Sequence, residues 1–332
     1  MYYEKIKINV PESLKTSLEN DAQRFSLVKN DGKANLNALM SLVLLNHHDE
    51  FKRNQKHIRD KAHEAISRNA NITNEAIDKI TDEILREISL LSAGGKTEIC
   101  NASIALKPTS QTIGIIKQIE GNLLRYRTES EYFRSLLQDY DAKSISEKET
   151  IVFRKQCGAI RTAISERKKI FITYNSRRNE LRSKTLSPYS LETSKEEMHE
   201  YLISAEGGNG VATNRLSKLG HVEILDEPSE ISDTQKSCLN KMIKYGAAFP
   251  ITPEDGEITV KLTDSGLEMW NQYYVHRPIP FKTEGYMFYF ECSPMQVMTY
   301  FARFGKNAKI LSPNTLRKRM RRFYKDAWEE YQ

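Results

Sequence analysis

Two short segments of this chain carry the same alternation of apolar and polar residues, and each is followed by helical periodicity. From Tyr3 to Val10, Ile6, Ile8 and Val10 alternate with Lys5, Lys7 and Asn9. Period two with β-branched apolar residues predicts a half-buried strand. Pro11 closes it and suits the first turn of a helix, which Leu14, Leu18, Ala22 and Phe25 continue at helical spacing. Asn30-Asp31-Gly32 predicts a turn, and a second helix starts at about Asn35 with Leu39, Met40, Val43 and Leu44 on its apolar face. Later, Ala102, Ile104 and Leu106 alternate with Asn101, Ser103 and Ala105, and Pro108 ends the strand. Ile113, Ile116, Ile119 and Leu123 predict one helix. Thr128 and Glu131 predict a capping box that opens another, bearing Tyr132, Phe133, Leu136 and Leu137. Between the copies, Ile77, Ile80, Ile84, Leu85, Ile88 and Leu91 predict a further amphipathic helix ending at Gly94-Gly95. One strand–helix–helix unit cannot bury its apolar face alone; a chain that carries two can supply its own partner.

This duplicated unit, over residues 2–142, resembles the ribbon-helix-helix family. The resemblance implies a two-stranded ribbon over interlocked helices, with outward ribbon residues entering the DNA major groove. Here those residues are Lys5, Lys7 and Asn9 from the first copy, and Asn101, Ser103 and Ala105 from the second. The second set is short and uncharged, so a ribbon kept only for folding stands beside the DNA-reading alternative.

A chain of 332 residues suits two or three domains. Charged residues make up 28%, mean hydropathy is −0.60, and no run of 18 apolar residues exists, so a soluble protein without a transmembrane helix is expected. The start Met1-Tyr2-Tyr3-Glu4-Lys5 has no hydrophobic leader core. Cys100, Cys157, Cys238 and Cys292 are widely spaced and predict reduced, mostly buried thiols in a cytoplasmic protein. The net charge of +6 hides strong segregation: zero over residues 1–153, +8 over 154–184, −7 over 185–235 and +5 over 236–332. The +8 segment holds Arg154, Lys155, Arg161, Arg167, Lys168, Lys169, Arg177, Arg178, Arg182 and Lys184 against Glu166 and Glu180. Such asymmetry speaks to partners, a polyanion first, although solvated helix faces produce it too.

After a helix through Arg161–Glu166, five short strands are expected: Lys169–Tyr174, Arg182–Ser187 ended by Pro188, Tyr201–Ser204, Val211–Leu219 and Val222–Leu225. Turns separate them at Arg177-Arg178-Asn179 and at Gly207-Gly208-Asn209-Gly210. Such a series suits a small, strongly bent sheet of Sm or SH3-like type. Four ordered motifs are similar to those of the WYL domain: Ala163-Ile164 leading to Ile172-Thr173-Tyr174; Ser187-Pro188-Tyr189-Ser190-Leu191; Glu200-Tyr201-Leu202-Ile203; and Asn214-Arg215-Leu216-Ser217-Lys218-Leu219. Glu200 stands where the family usually has Trp, and Lys218 where it usually has a second Arg. The resemblance, over about residues 155–226, implies a ligand-sensing or nucleic-acid-binding module whose pocket uses Tyr174, Tyr201, Arg215 and Lys218. Charge alone adds Arg177, Arg178, Arg182 and Lys184. Guanidinium groups grip phosphate bidentately, and tyrosine rings stack on unpaired bases. The plainer alternatives are a core aromatic at Tyr174 and, for Arg215, a salt bridge to the acidic 192–206 segment.

The C-terminal third alternates strands and helices: a strand at Glu257–Leu262, a helix at Ser265–Tyr273, a strand at Tyr286–Cys292, a helix opened by Ser293-Pro294, a strand at Lys309–Leu311, and a last helix after Ser312-Pro313. The order resembles the extension that follows WYL domains, which implies dimerisation, with the basic Arg317–Arg322 cluster as a second, polyanion-binding reading. The seven histidines show no ligand spacing and no catalytic or phosphate-loop motif is present, so neither enzyme chemistry nor a metal or cofactor is expected.

The expected architecture is therefore an α+β multidomain chain: residues 1–145 (units about 2–51 and 98–142), a β-barrel domain at 150–228, and an α/β extension at 229–332. As a set these parts resemble the WYL accessory proteins of type VI-D CRISPR–Cas systems. That resemblance implies a homodimer that binds single-stranded RNA and modulates an RNA-guided effector nuclease. The alternatives are a DNA-binding transcriptional regulator using the ribbon, and a sensor of a small nucleotide.

Overall fold

A computed structural model describes residues 4–69, 72–92, 100–121, 128–175, 180–195 and 197–332. The chain divides into two compact units, Met1–Arg154 and Lys155–Gln332. Among the described residues it is of mixed α+β class, with antiparallel sheets. The expected features at Arg177-Arg178-Asn179, Gly94-Gly95 and Leu123 lie outside the described residues.

In the first unit, β1 (Ile6–Val10) and β2 (Ala102–Leu106) pair antiparallel, Ile6 opposite Leu106 and Val10 opposite Ala102. Alternation buries Ile8, Val10, Ile104 and Leu106 and leaves Lys7, Asn9, Ser103 and Ala105 exposed. Helices α1 (Glu12–Arg24), α2 (Leu36–Asn69) and α5 (Glu129–Asp141) pack against the ribbon, α6 (Ile145–Val152) packs on α2, and α4 (Ile113–Glu120) follows β2 in the chain. Their core includes Leu18, Leu39, Val43, Phe51, Phe133, Leu136 and Tyr140. The second helix runs far past the expected unit boundary at residue 51. Its distal half pairs with α3 (Asn74–Ser92), where Arg59 bonds Asp78 at 2.7 Å and Asp82 at 3.0 Å. Thr128 caps α5 by accepting from the Glu131 N–H, and a reciprocal capping box at Ser144 and Glu147 opens α6, an element the periodicity did not separate. Asn101 is not an outward ribbon residue: its Oδ1 accepts from the Glu12 N–H at 3.1 Å and so serves the start of α1.

The second unit begins with α7 (Arg154–Glu166) and a five-stranded antiparallel sheet of order β6-β5-β4-β3-β7, made of β3 (Lys168–Asn175), β4 (Leu181–Thr193), β5 (Glu200–Ala205), β6 (Val211–Arg215) and β7 (Leu219–Pro228). Pro188 does not end its strand. It pairs with Ser204 beside a register shift before Ser190, where a residue without an N–H costs least and the strand bends. The expected strand 211–219 is broken by a single 3₁₀ turn, Leu216–Lys218. Helix α8 (Asp233–Tyr245), unexpected from the sequence, packs Leu239 and Met242 against Tyr201, Ile203 and Ala205 of β5.

The chain ends in a second sheet of order β11-β8-β10-β9, from β8 (Ile258–Leu262), β9 (Lys282–Glu284), β10 (Met287–Phe290) and β11 (Ala308–Ser312). The intervening helices are α9 (Asp264–Gln272), α10 (Pro294–Phe301) and α11 (Asn314–Glu329). They share an aromatic core of Trp270, Phe288, Phe290, Tyr300, Phe301 and Phe304, in which Trp270 and Phe301 stack at 5.9 Å. The chain turns into β10 at Gly285, whose φ of +57° lies where a side chain would be strained. Strand β9 was missed because three residues are too few to show a period.

Candidate nucleic-acid interface

Strands β3 and β4 form because Ile170, Phe171, Ile172 and Thr173 favour a pleated, half-buried surface. Their register puts Tyr174 opposite Arg182, Ile172 opposite Lys184 and Ile170 opposite Leu186. All six therefore share one face. Ile170, Ile172 and Leu186 are buried, while Tyr174 is half-buried and Arg182 exposed, so the apolar face ends in a basic and aromatic rim. The Lys184 ammonium lies 5.2 Å from the centre of the Tyr174 ring. It also bonds Glu206 at 2.5 Å, and Arg182 bonds Glu180 at 2.7 Å.

These ion pairs revise the reading of charge. The acidic segment after residue 185 folds back onto the basic one: Lys168 meets Asp226 at 3.3 Å, Lys169 meets Glu227 at 3.0 Å, and Lys184 meets Glu206. Hydrogen bonds to Asp226 and Glu166 raise the Lys168 pKa above its ordinary value. Arg154 is spent on the Asn46 carbonyl. The +8 of residues 154–184 is thus partly cancelled in space. Exposed pairs are worth at most about 1 kcal/mol, so a phosphate can displace the carboxylate.

Tyr201 and Arg215 are cross-strand partners on β5 and β6. Tyr201 lies under α8, 8% exposed, and its hydroxyl donates to Glu197 at 2.5 Å. Its expected role as an open stacking platform is corrected: the ring is packing. Alternation along β5 puts Leu202, Ser204 and then Glu206, the partner of Lys184, on the opposite side. The register therefore separates Tyr174, Arg182 and Lys184 from Tyr201 and Arg215, which the sequence had grouped as one pocket. Arg215 is half-buried at the end of β6, and Lys218 is exposed on the following 3₁₀ turn. Glu200 is buried and accepts from the Thr193 hydroxyl at 2.5 Å. Arg177 and Arg178 lie outside the described residues.

On the ribbon, Lys5, Lys7 and Asn9 are exposed as expected. The Asn9 backbone is held from below, its N–H donating to Ser130 Oγ at 2.9 Å and its carbonyl accepting from Arg134 at 2.9 Å. Cys157, Cys238 and Cys292 are buried and Cys100 is exposed, and none of the four is in a disulfide. Burial pushes the Cys238 thiol pKa up. Among the described residues there is no metal-binding cluster of His, Cys, Asp and Glu, and no helix long and apolar enough to cross a membrane.

Sequence reasoning passed over the loop after α9, where Tyr273, Tyr274, Val275, Ile279 and Phe281 are exposed apolar residues interleaved with His276 and Arg277. The one signal was the aromatic-basic run itself, in a stretch without strand or helix period.

No protein-family model matches the chain, and no curated protein matches it in sequence. Among solved structures, a proteasome accessory factor B/C (PafBC) of Arthrobacter aurescens aligns over 71% of this chain and 38% of its own, at 18% identity and a TM-score of 0.25, too low to speak to the fold. The crystal structure of a CRISPR Cas-related protein superposes with a TM-score of 0.67, covering 99% of this chain and 94% of its own at 20% identity. At that coverage the chain shares the fold of the CRISPR Cas-related protein along its whole length.

Proposed function

We propose that this chain is a non-enzymatic accessory protein that binds single-stranded RNA and modulates an RNA-guided effector nuclease of the type VI-D CRISPR kind, acting as a homodimer in the cytoplasm. In this reading the first unit is a fused pair of ribbon-helix-helix elements, and the five-stranded sheet is a WYL domain of Sm-like type. The observation that carries it is the convergence of Tyr174, Arg182 and Lys184 on one sheet face. A ring for an unpaired base stands beside two cations for phosphate, and each cation is paired with a carboxylate that a phosphate can replace. The fold shared with a CRISPR Cas-related protein supports the cellular setting.

The test is to add the full-length chain to a guide-loaded type VI-D effector and follow RNA cleavage. The reading expects faster cleavage with wild type and none of that gain with Arg182→Ala/Lys184→Ala. An effector whose rate the wild-type chain leaves unchanged contradicts it.

The exposed Lys7 and Asn9 on the ribbon favour a second reading, a ligand-sensing transcriptional regulator that touches duplex DNA. Genuine base readout would discriminate between duplex sequences and survive moderate salt.

A further inference from the structure

The second unit contains a cleft of about 390 Å³, away from the sheet face that carries Tyr174. It lies within the range of roughly 300–1,000 Å³ typical of small-ligand sites. Glu192 and Lys195 line it from the end of β4, Lys244 from the end of α8, and Tyr274, His276 and Arg277 from the loop after α9. Three permanent cations thus face one carboxylate, which favours an anionic ligand.

The aromatic part of the wall is set in place. Arg277 lies 4.7 Å from the centre of the Tyr274 ring and 5.1 Å from that of Trp270, and donates to the Trp270 carbonyl at 3.2 Å. A guanidinium in contact with two rings and bonded to a carbonyl has little rotamer freedom left to lose on binding. Tyr274 nevertheless stays 68% exposed, while Trp270, the other ring against Arg277, is buried. His276 adopts a φ of +61°, a left-handed conformation unusual for a residue with a side chain. Such strained positions cluster at binding sites. A second hollow, of about 470 Å³, shares Tyr274, Arg277 and Ile279, so the concavity continues past the ring.

We infer that this cleft binds a nucleotide, with its phosphate held by Lys195, Lys244 and Arg277 and its base stacked on Tyr274. A planar ring beside fixed and flexible cations matches a base and a phosphate joined by a sugar, whereas a simple anion would leave the exposed ring without a role. The nucleotide comes either free or as the end of a strand, and the inference does not depend on the sheet-face reading.

Adenosine monophosphate and a short single-stranded RNA are titrated separately onto full-length wild type, Tyr274→Ala, Tyr274→Phe and Lys244→Glu, with Arg182→Ala/Lys184→Ala as the sheet-face comparison. Tyr274 and Lys244 are exposed, so these variants keep the fold, which circular dichroism verifies. The cleft predicts at least a tenfold loss of affinity in Tyr274→Ala and Lys244→Glu, with Tyr274→Phe retaining binding. Loss seen for the monophosphate identifies a free nucleotide; loss seen for the strand alone identifies a strand end. If strand binding falls only in Arg182→Ala/Lys184→Ala and the cleft variants match wild type with both ligands, the inference is overturned while the sheet-face reading stands. If wild type binds the monophosphate through Tyr274 but no strand, the inference stands and the sheet-face reading falls. Binding of neither ligand by wild type overturns both.

Discussion

The ammonium of Lys184 stands 5.2 Å from the centre of the ring of Tyr174, the cross-strand partner of Arg182. Cation and ring lie on the same face, so a base stacked on the ring would carry its phosphate toward both cations. Replacing Arg182 and Lys184 by alanine should weaken single-stranded RNA binding at least tenfold. The slope of log K against log salt should fall by about 0.7 for each phosphate that the variant no longer neutralises. Fluorescence anisotropy across a salt series measures both. An unchanged slope would show that neither cation meets phosphate.

Tyr201 makes the opposite prediction. Its ring fills a cluster with Leu239 and Met242, so Tyr201→Ala should cost about 3–5 kcal/mol of stability. Tyr201→Phe removes the bond to Glu197, worth about 1 kcal/mol, and should bind RNA as wild type does. Denaturant melts read the first effect and anisotropy the second. RNA binding abolished in Tyr201→Phe would return the residue to the site.

Much of this was legible in the sequence. The two ribbon strands, their proline stops and the buried residues Ile8, Val10, Ile104 and Leu106 follow from a period of two, and the register only repeats that pattern. Tyr174 and Arg182 sit on the two strands expected at Lys169–Tyr174 and Arg182–Ser187. The sequence could not say which side of the sheet each strand's residues would face. That depends on the bend at Pro188 and on where α8 lands, both of which are tertiary. Nor could charge counted along the chain reveal that Asp226 and Glu227 would fold beside Lys168 and Lys169. Ser232 and Gln235 make the capping box that opens α8, a signal legible in the sequence.

Lys148 is buried in the first unit, 2.8 Å from Asp141 and 3.0 Å from the buried Asp21, with its ammonium 5.4 Å from the Tyr140 ring centre. Lys148→Ala leaves two carboxylates without their cation and should cost about 3–5 kcal/mol. Chemical denaturation checks the value. A cost below about 1 kcal/mol would mean that water or a relaxed backbone takes the place of the ammonium.

Acidification should loosen the same unit. Burial holds the His48 pKa below 6.5, although Asp49 beside it pulls the other way. Burial would raise the Asp139 carboxyl, but the hydrogen bond from His47 at 2.6 Å, with Lys143, holds it below its ordinary 3.8. Both groups have folded pKa values under their unfolded ones, so the unfolded chain takes up protons first. Their stability contribution is present above about pH 6.5 and is lost as pH falls, His48 first and Asp139 in the acid range. Thermal melts from about pH 7.5 down to pH 5 should show a falling midpoint, and His48→Gln should flatten that decline. A midpoint independent of pH over this range would contradict the assignment.

The central claim is that the face bearing Tyr174, Arg182 and Lys184 is built for unpaired RNA. The most direct measurement compares the affinity of the full-length protein for single-stranded RNA with that for duplex DNA of the same length at one salt concentration. The account predicts RNA binding at least tenfold tighter, with the preference erased in Arg182→Ala/Lys184→Ala. Equal affinity for the two, or a duplex preference abolished by Lys7→Ala/Asn9→Ala, would contradict it.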